Sequence, residues 1–110
     1  MAFDEALAER VRKLLARRKN IEEKKMFSGL AFLLNGNLLV GVRRDTLLVR
    51  VGPEQSDDAL REAHTTAFTI KGRGAMKGWV VVGLAGITEE YQLKDWIQRA
   101  LSFVKTLQVK

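Results

Sequence analysis

The segment Lys71-Gly72-Arg73-Gly74-Ala75-Met76-Lys77-Gly78 is the part of the chain best suited to touch a ligand. Its glycines permit close backbone approach, and Lys71, Arg73 and Lys77 would attract a phosphate group. It is not a Walker loop, because no Gly-Lys-Ser/Thr ends it. It leads into an apolar strand rather than a helix, so it does not fit the dinucleotide fingerprint either. Its structural alternative is a flexible link between two strands. Two further basic pairs stand at strand ends, Lys24-Lys25 and Arg43-Arg44. Together Lys24, Lys25, Arg43, Arg44, Lys71, Arg73 and Lys77 are the candidate contacts for nucleic acid or phosphate.

Other chemistry is thinly supplied. His64 is the only histidine, and it has no evident carboxylate or hydroxyl partner in sequence. A nucleophilic triad or a zinc site needs more groups than this. The chain has no cysteine, which excludes disulfides, thiolate metal sites and cysteine nucleophiles. Glu22-Glu23, Asp57-Asp58 and Glu89-Glu90 are adjacent acids at element ends. Neighbours on a helix do not share a face, so these read as connector and first-turn charges. No catalytic residues, no cofactor and no metal are expected.

The net charge is +6 and the isoelectric point about 10.0. That balance suits a nucleic-acid, anionic-membrane or acidic-protein partner, but scattered cations also serve solubility alone. No apolar run approaches the ~18 residues of a membrane span. The opening MAFDEALAER carries acids and lacks the order of a signal peptide. A cytoplasmic protein without a membrane partner is expected. The 110 residues suit one domain with one modest core.

The elements that must position these residues follow from spacing. Phe3, Leu7, Val11, Leu14 and Leu15 recur at helical intervals and predict a helix over 3–19, with Asn20 as its stop. IEEKK, residues 21–25, reads as a charged connector. Strands follow over 29–34, 37–42 and 46–51. Asn35-Gly36 makes the first reversal, since a type I′ turn needs positive φ at both central residues. Arg44-Asp45 makes the second. Pro53 opens a short helix reaching residue 63, with Ala59, Leu60 and Ala63 inward. Residues 66–70 and 79–83 are strands. Thr88 caps a last helix whose Leu93, Trp96, Ile97, Ala100, Leu101, Val104 and Leu107 form one apolar stripe. Trp79 and Trp96 read as core residues, and Met26-Phe27 as a hydrophobic plug at the end of the sheet.

The order α-βββ-α-ββ-α excludes a doubly wound parallel sheet. It predicts an α+β two-layer sandwich, with helices on one face of a mostly antiparallel five-stranded sheet. Leu30-Ala31-Phe32-Leu33-Leu34 and Leu38-Leu39-Val40 put apolar side chains on both faces. The uncovered face would be an apolar patch, which predicts a homodimer unless connectors or chain ends fold over it.

Lys25-Met26-Phe27-Ser28-Gly29, an apolar strand, Asn35-Gly36 and a second apolar strand resemble the N-terminal domain of the TfoX/Sxy family of competence regulators. Leu47-Leu48-Val49-Arg50-Val51 and Met76-Lys77-Gly78-Trp79-Val80 add to the resemblance, which runs from the first helix to the last. It implies a fold similar to the secretion chaperones, with helices flanking a five-stranded antiparallel sheet. That fold is commonly dimeric. It also implies a link to transcriptional regulation, where full-length members carry a further helical domain. It brings no catalytic residues with it. The leading functional expectation is a non-enzymatic interaction module with a protein partner. The second is direct nucleic-acid binding through the basic clusters, with a strong salt dependence. The third is a phosphate-ligand protein or enzyme using residues 71–78.

Overall fold

A computed structural model describes residues 3–26 and 29–110. Phe27 and Ser28 of the first motif, and with them half of the expected plug, lie outside the described residues. Met26 is 37% exposed at the end of its strand.

The first helix, α1, spans Glu5–Leu15, shorter at both ends than 3–19. Asp4 is its N-cap, and the Asp4 carboxylate accepts from the N–H groups of Ala6 and Leu7. This satisfies two of the first-turn donors that a helix leaves unpaired. The Asp4 N–H itself donates to the Arg44 carbonyl at 2.6 Å, so the start of α1 is tied to the turn between two strands. Leu7, Ala8, Val11 and Leu15 are buried, as the spacing predicts. Asn20 stops the segment in the left-handed region, at φ 66°.

The sheet has six strands, all pairing antiparallel, in the order β1-β2-β3-β4-β6-β5. They are β1 Ile21–Met26, β2 Gly29–Leu34, β3 Asn37–Arg43, β4 Thr46–Arg50, β5 Thr65–Ile70 and β6 Gly74–Val82. The additional strand is β1, which corrects the reading of residues 21–25 as a connector. It pairs with β2 along its whole length, from Ile21 opposite Leu34 to Met26 opposite Gly29. As an edge strand it has little core to face, and its Glu and Lys side chains deter pairing with another chain. Its apolar alternation is therefore missing.

Asn35 and Gly36 have φ of 54° and 83°, as a type I′ turn requires. The chain end is fastened to this turn. The Lys110 N–H donates to the Asn35 carbonyl, and Asn37 Nδ2 to the Gln108 carbonyl at 2.8 Å. Asn37 is thus a buried polar residue with its partner in place. Between β2 and β3 the register breaks after Phe32, and Leu39 has no partner. Leu39 and Val40 both join the core as a result.

Segment 71–78 is not a flexible link. It is the tip of the β5–β6 hairpin and the first half of β6, which starts at Gly74, with the Arg73 N–H donating to the Ile70 carbonyl. Gly78, at φ 95°, sits in a bulge where its carbonyl accepts from both Val51 and Gly52. Glycines that suggested flexibility serve a turn and a bulge instead.

The second helix, α2, covers only Ser56–Leu60, and Pro53 lies in the turn before it. Ala59 is buried and Leu60 half-buried, but Ala63 is exposed, because the helix has already ended. The last helix, α3, spans Glu90–Val104. Its N-cap is Glu89, which forms a capping box with Gln92. Thr88 instead donates to the Leu84 and Ala85 carbonyls of a preceding 3-10 turn.

The core lies between the helices and one sheet face. Leu30, Phe32, Leu34, Val42, Leu47, Val49, Val80 and Val82 point into it, alternate residues along each strand. Leu93, Trp96, Ile97, Ala100, Leu101 and Val104 meet them from α3, which packs over β3 and β4. Replacing Trp96 or Leu101 by alanine should cost ~2–5 kcal/mol through lost burial and a residual cavity. Chemical denaturation measures this. Midpoints that hardly move for both variants would show that α3 does not seal the sheet.

One ion pair ties α1 to the edge strand. Arg12 donates from Nε and Nη2 to the two oxygens of Glu23, both at 2.7 Å. This bidentate pair holds the Glu23 carboxyl below its ordinary range. A lowered folded pKa means stability that is present above the unfolded pKa, near ~4, and lost as pH falls through the folded value. The pair is partly exposed, so Glu23→Gln should cost only ~0.2–1 kcal/mol at neutral pH. That difference should shrink below pH ~4. A difference unchanged between neutral and acidic pH would show the pair to be inert.

Candidate interaction surfaces

The fold separates the seven candidate cations. Lys24 pairs with Ala31, and Ala31 with Gly41, so these three share the face away from the helices. Lys25 pairs with Leu30, which faces the helical layer. Adjacent strand residues point to opposite faces, and this basic pair is therefore split. Arg43 lies two residues beyond Gly41, on the same face as Lys24 and roughly 12 Å from it by strand spacing. Arg44 is in the adjoining turn, at φ 55°.

Lys71 and Arg73 are elsewhere. Leu47 pairs with Val82, next to the Arg44 turn, whereas Ile70 pairs with Gly74 at the other end of β6. The length of β6 puts about 25 Å between those ends. Lys77 lies in the distant half of β6. The structure thus brings Lys24, Arg43 and Arg44 to one end of the sheet, and Lys71, Arg73 and Lys77 to the other. Among the described residues, no carboxylate lies within ion-pair distance of any of the seven.

The face away from the helices is apolar, as alternation predicts, but it is not an open patch. Ala31, Leu33, Leu48 and Phe68 are only 1%, 7%, 6% and 7% exposed. They stand outside the helix-packed core. The register breaks within the β2–β3 and β5–β6 pairs. What remains is a hollow of about 270 Å³ bounded by Arg43, Arg44, Leu48, Phe68 and Val81.

A larger groove, of about 660 Å³, runs between α2 and α3. Val51, Ala59 and Phe103 form its apolar floor, with Asp58, Glu62 and Arg99 on its walls. Arg99 donates to both oxygens of Glu62, one at 3.0 Å, and to Asp95 at 2.8 Å. Its guanidinium also lies 4.2 Å from the Trp96 ring centre. The Glu62 carboxylate, followed by Asp95, holds the Arg99 pKa above its ordinary value despite partial burial. The cation of the groove is therefore already engaged. Sequence reasoning missed this groove, because its walls come from separate segments. The only local trace is the helical spacing of Asp95 and Arg99.

Arg50 is the other shielded cation. It lies 5.0 Å from the Trp79 ring centre and 5.7 Å from that of Phe103. Burial lowers its pKa. Trp79 is accordingly half-buried under Arg50 and beside Phe68, rather than deep in the core. His64 is exposed at φ 68°, and its carbonyl accepts from the Gly83 N–H. Among the described residues no group of three His, Cys, Asp or Glu could hold a metal ion. No helix among them is long and apolar enough to cross a membrane.

No curated protein matches the chain. The family model of the TfoX N-terminal domain matches residues 13–104. That span begins inside α1, takes in all six strands and ends with the last residue of α3. The motifs at Leu47 to Val51 and Met76 to Val80 fall within it, on β4 with its exit and on β6. By this match over most of its length, the chain belongs to the TfoX N-terminal domain family.

Proposed function

We propose that this chain is a non-enzymatic protein-interaction module acting in a regulatory complex in the cytoplasm. The observation that carries the reading is the family match, which spans the whole sheet and α3. The cavities support it. In the larger one the charged walls are bonded to one another, with Arg99 held between Glu62 and Asp95. The smaller is a shallow hollow at a sheet end. Among the described residues, cations without carboxylate partners stand at both ends of the sheet, and they suit acidic surfaces on a protein.

Affinity capture from lysate, followed by calorimetry with each purified candidate, tests the reading. It expects at least one protein that binds stoichiometrically. Recovery of no partner under several conditions, together with turnover of a metabolite, would overturn it.

One observation favours direct nucleic-acid binding as a second reading: Lys24, Arg43 and Arg44 share one end of the sheet. Three phosphate contacts would give a salt slope of roughly −2.7 on logarithmic axes. Fluorescence anisotropy with single- and double-stranded DNA at low salt separates the two. The interaction-module reading expects flat titrations. A rise that decays with salt at that slope would replace it.

A further inference from the structure

The two edges of the sheet are built differently. β1 carries Glu22, Glu23, Lys24 and Lys25, the charges that guard an edge against strand addition. β5 reads Thr65-Thr66-Ala67-Phe68-Thr69-Ile70. It has no charge, no proline and no glycine, and its residues favour extended backbone. Among the described residues only β6 pairs with it.

β5 is also regular. Ala67 pairs with Val80 and Thr69 with Ala75, so the extra residues of this irregularity belong to β6. A bulge that would bend the edge away is therefore absent from β5 itself. Its orientation follows from two hydrogen bonds. The His64 carbonyl accepts from Gly83, and the Ile70 carbonyl from Arg73, so even-numbered residues turn their polar groups toward β6. By alternation, Thr65, Ala67 and Thr69 turn theirs outward. Thr66, Ala67 and Thr69 are exposed, which leaves room beside the strand.

Lys71 and Arg73 follow directly at the end of this edge, with no carboxylate in ion-pair reach among the described residues. The geometry points to β5 as a docking edge for an extended, acidic segment of a partner protein, added as a seventh strand with its acids against Lys71 and Arg73. Main-chain bonds to Thr65, Ala67 and Thr69 supply the pairing, and the cations select acidic flanks. A second copy of the chain fits less well. Two-fold pairing must set outward-turned residues opposite one another, and centred on Ala67 it sets Arg73 against Arg61, a like charge. This inference rests on the reading of the chain as a protein-interaction module, and it names the surface and the partner chemistry.

The test uses synthetic peptides on the isotope-labelled protein, read by amide NMR. The first peptide alternates Thr and Val and ends in three Glu. The second is the same peptide with every other amide N-methylated, and the third replaces Glu by Lys. The first should shift the Thr65, Ala67 and Thr69 amides, and the other two should not. Ala67→Pro should abolish the effect while keeping the fold, because the N–H it removes points away from β6. Thr69→Lys, which recreates a guarded edge, should do the same. Reversing Lys71 and Arg73 to Glu should weaken binding by about tenfold or more. Shifts that map to another surface, or none at all, overturn the proposal. So does a concentration-dependent shift of the β5 amides without peptide, which would assign the edge to a second copy. An equal response to an oligonucleotide would assign it to nucleic acid and overturn it too. Capture of a protein partner that Ala67→Pro leaves intact would keep the interaction module and reject this edge.

Discussion

Leu93, Trp96, Ile97, Ala100, Leu101 and Val104 leave almost nothing of themselves to water where α3 lies across β3 and β4. The strands beneath depend on that cover. Their own hairpins fix register locally, but a sheet with one face stripped of helices would expose Phe32, Val40, Val42, Leu47 and Val49. Burying each such side chain is worth ~1.5–3 kcal/mol, against a total stability of ~5–15 kcal/mol for a domain of this size. The fastening of Gln108 and Lys110 to the first hairpin holds the far end of the same layer in place. The strands to which β6 and then β5 are added are held in place by this contact between helix and sheet.

The strand order then determines what the surface can offer. After β4 the chain crosses through α2, lays down β5 at the outer edge and returns as β6 in between. That excursion carries Lys71 and Arg73 away from Arg43 and Arg44. It also leaves an uncharged strand, β5, without an outer neighbour among the described residues. A surface with two separated basic ends and one unguarded edge suits recognition of an extended chain better than of a broad polyanion.

Much of the fold was legible because its signals are local. Asn35-Gly36 needs no tertiary context to define a hairpin, and the strands on either side begin where alternation places them. The stripe of α3 likewise follows from spacing alone. The misses share a cause. β1 is a strand by virtue of its pairing with β2, and its own residues favour neither face. Gly72, Gly74 and Gly78 suggested looseness, but the hairpin they serve exists only because β5 and β6 pair. Ala63 was placed inward by a helical period that stops at Leu60. Thr88 was a reasonable cap, yet Gln92 lies three residues after Glu89 and completes the box there instead. The candidate cations were visible as residue types. Their grouping was not, because it depends on β6 lying between β4 and β5. The α2–α3 groove was invisible for the same reason, since Glu62 and Arg99 meet only in the folded chain.

Hydrogen exchange of the free protein, read amide by amide, tests the central claim most directly. If β5 is an uncovered edge, the amides of Thr65, Ala67 and Thr69 exchange quickly, while Thr66 and Ile70, paired with Val81 and Gly74 of β6, are protected along with the centre of the sheet. Uniform protection along β5 at a concentration where the protein is monomeric would contradict the account, because it would mean that the edge is already covered.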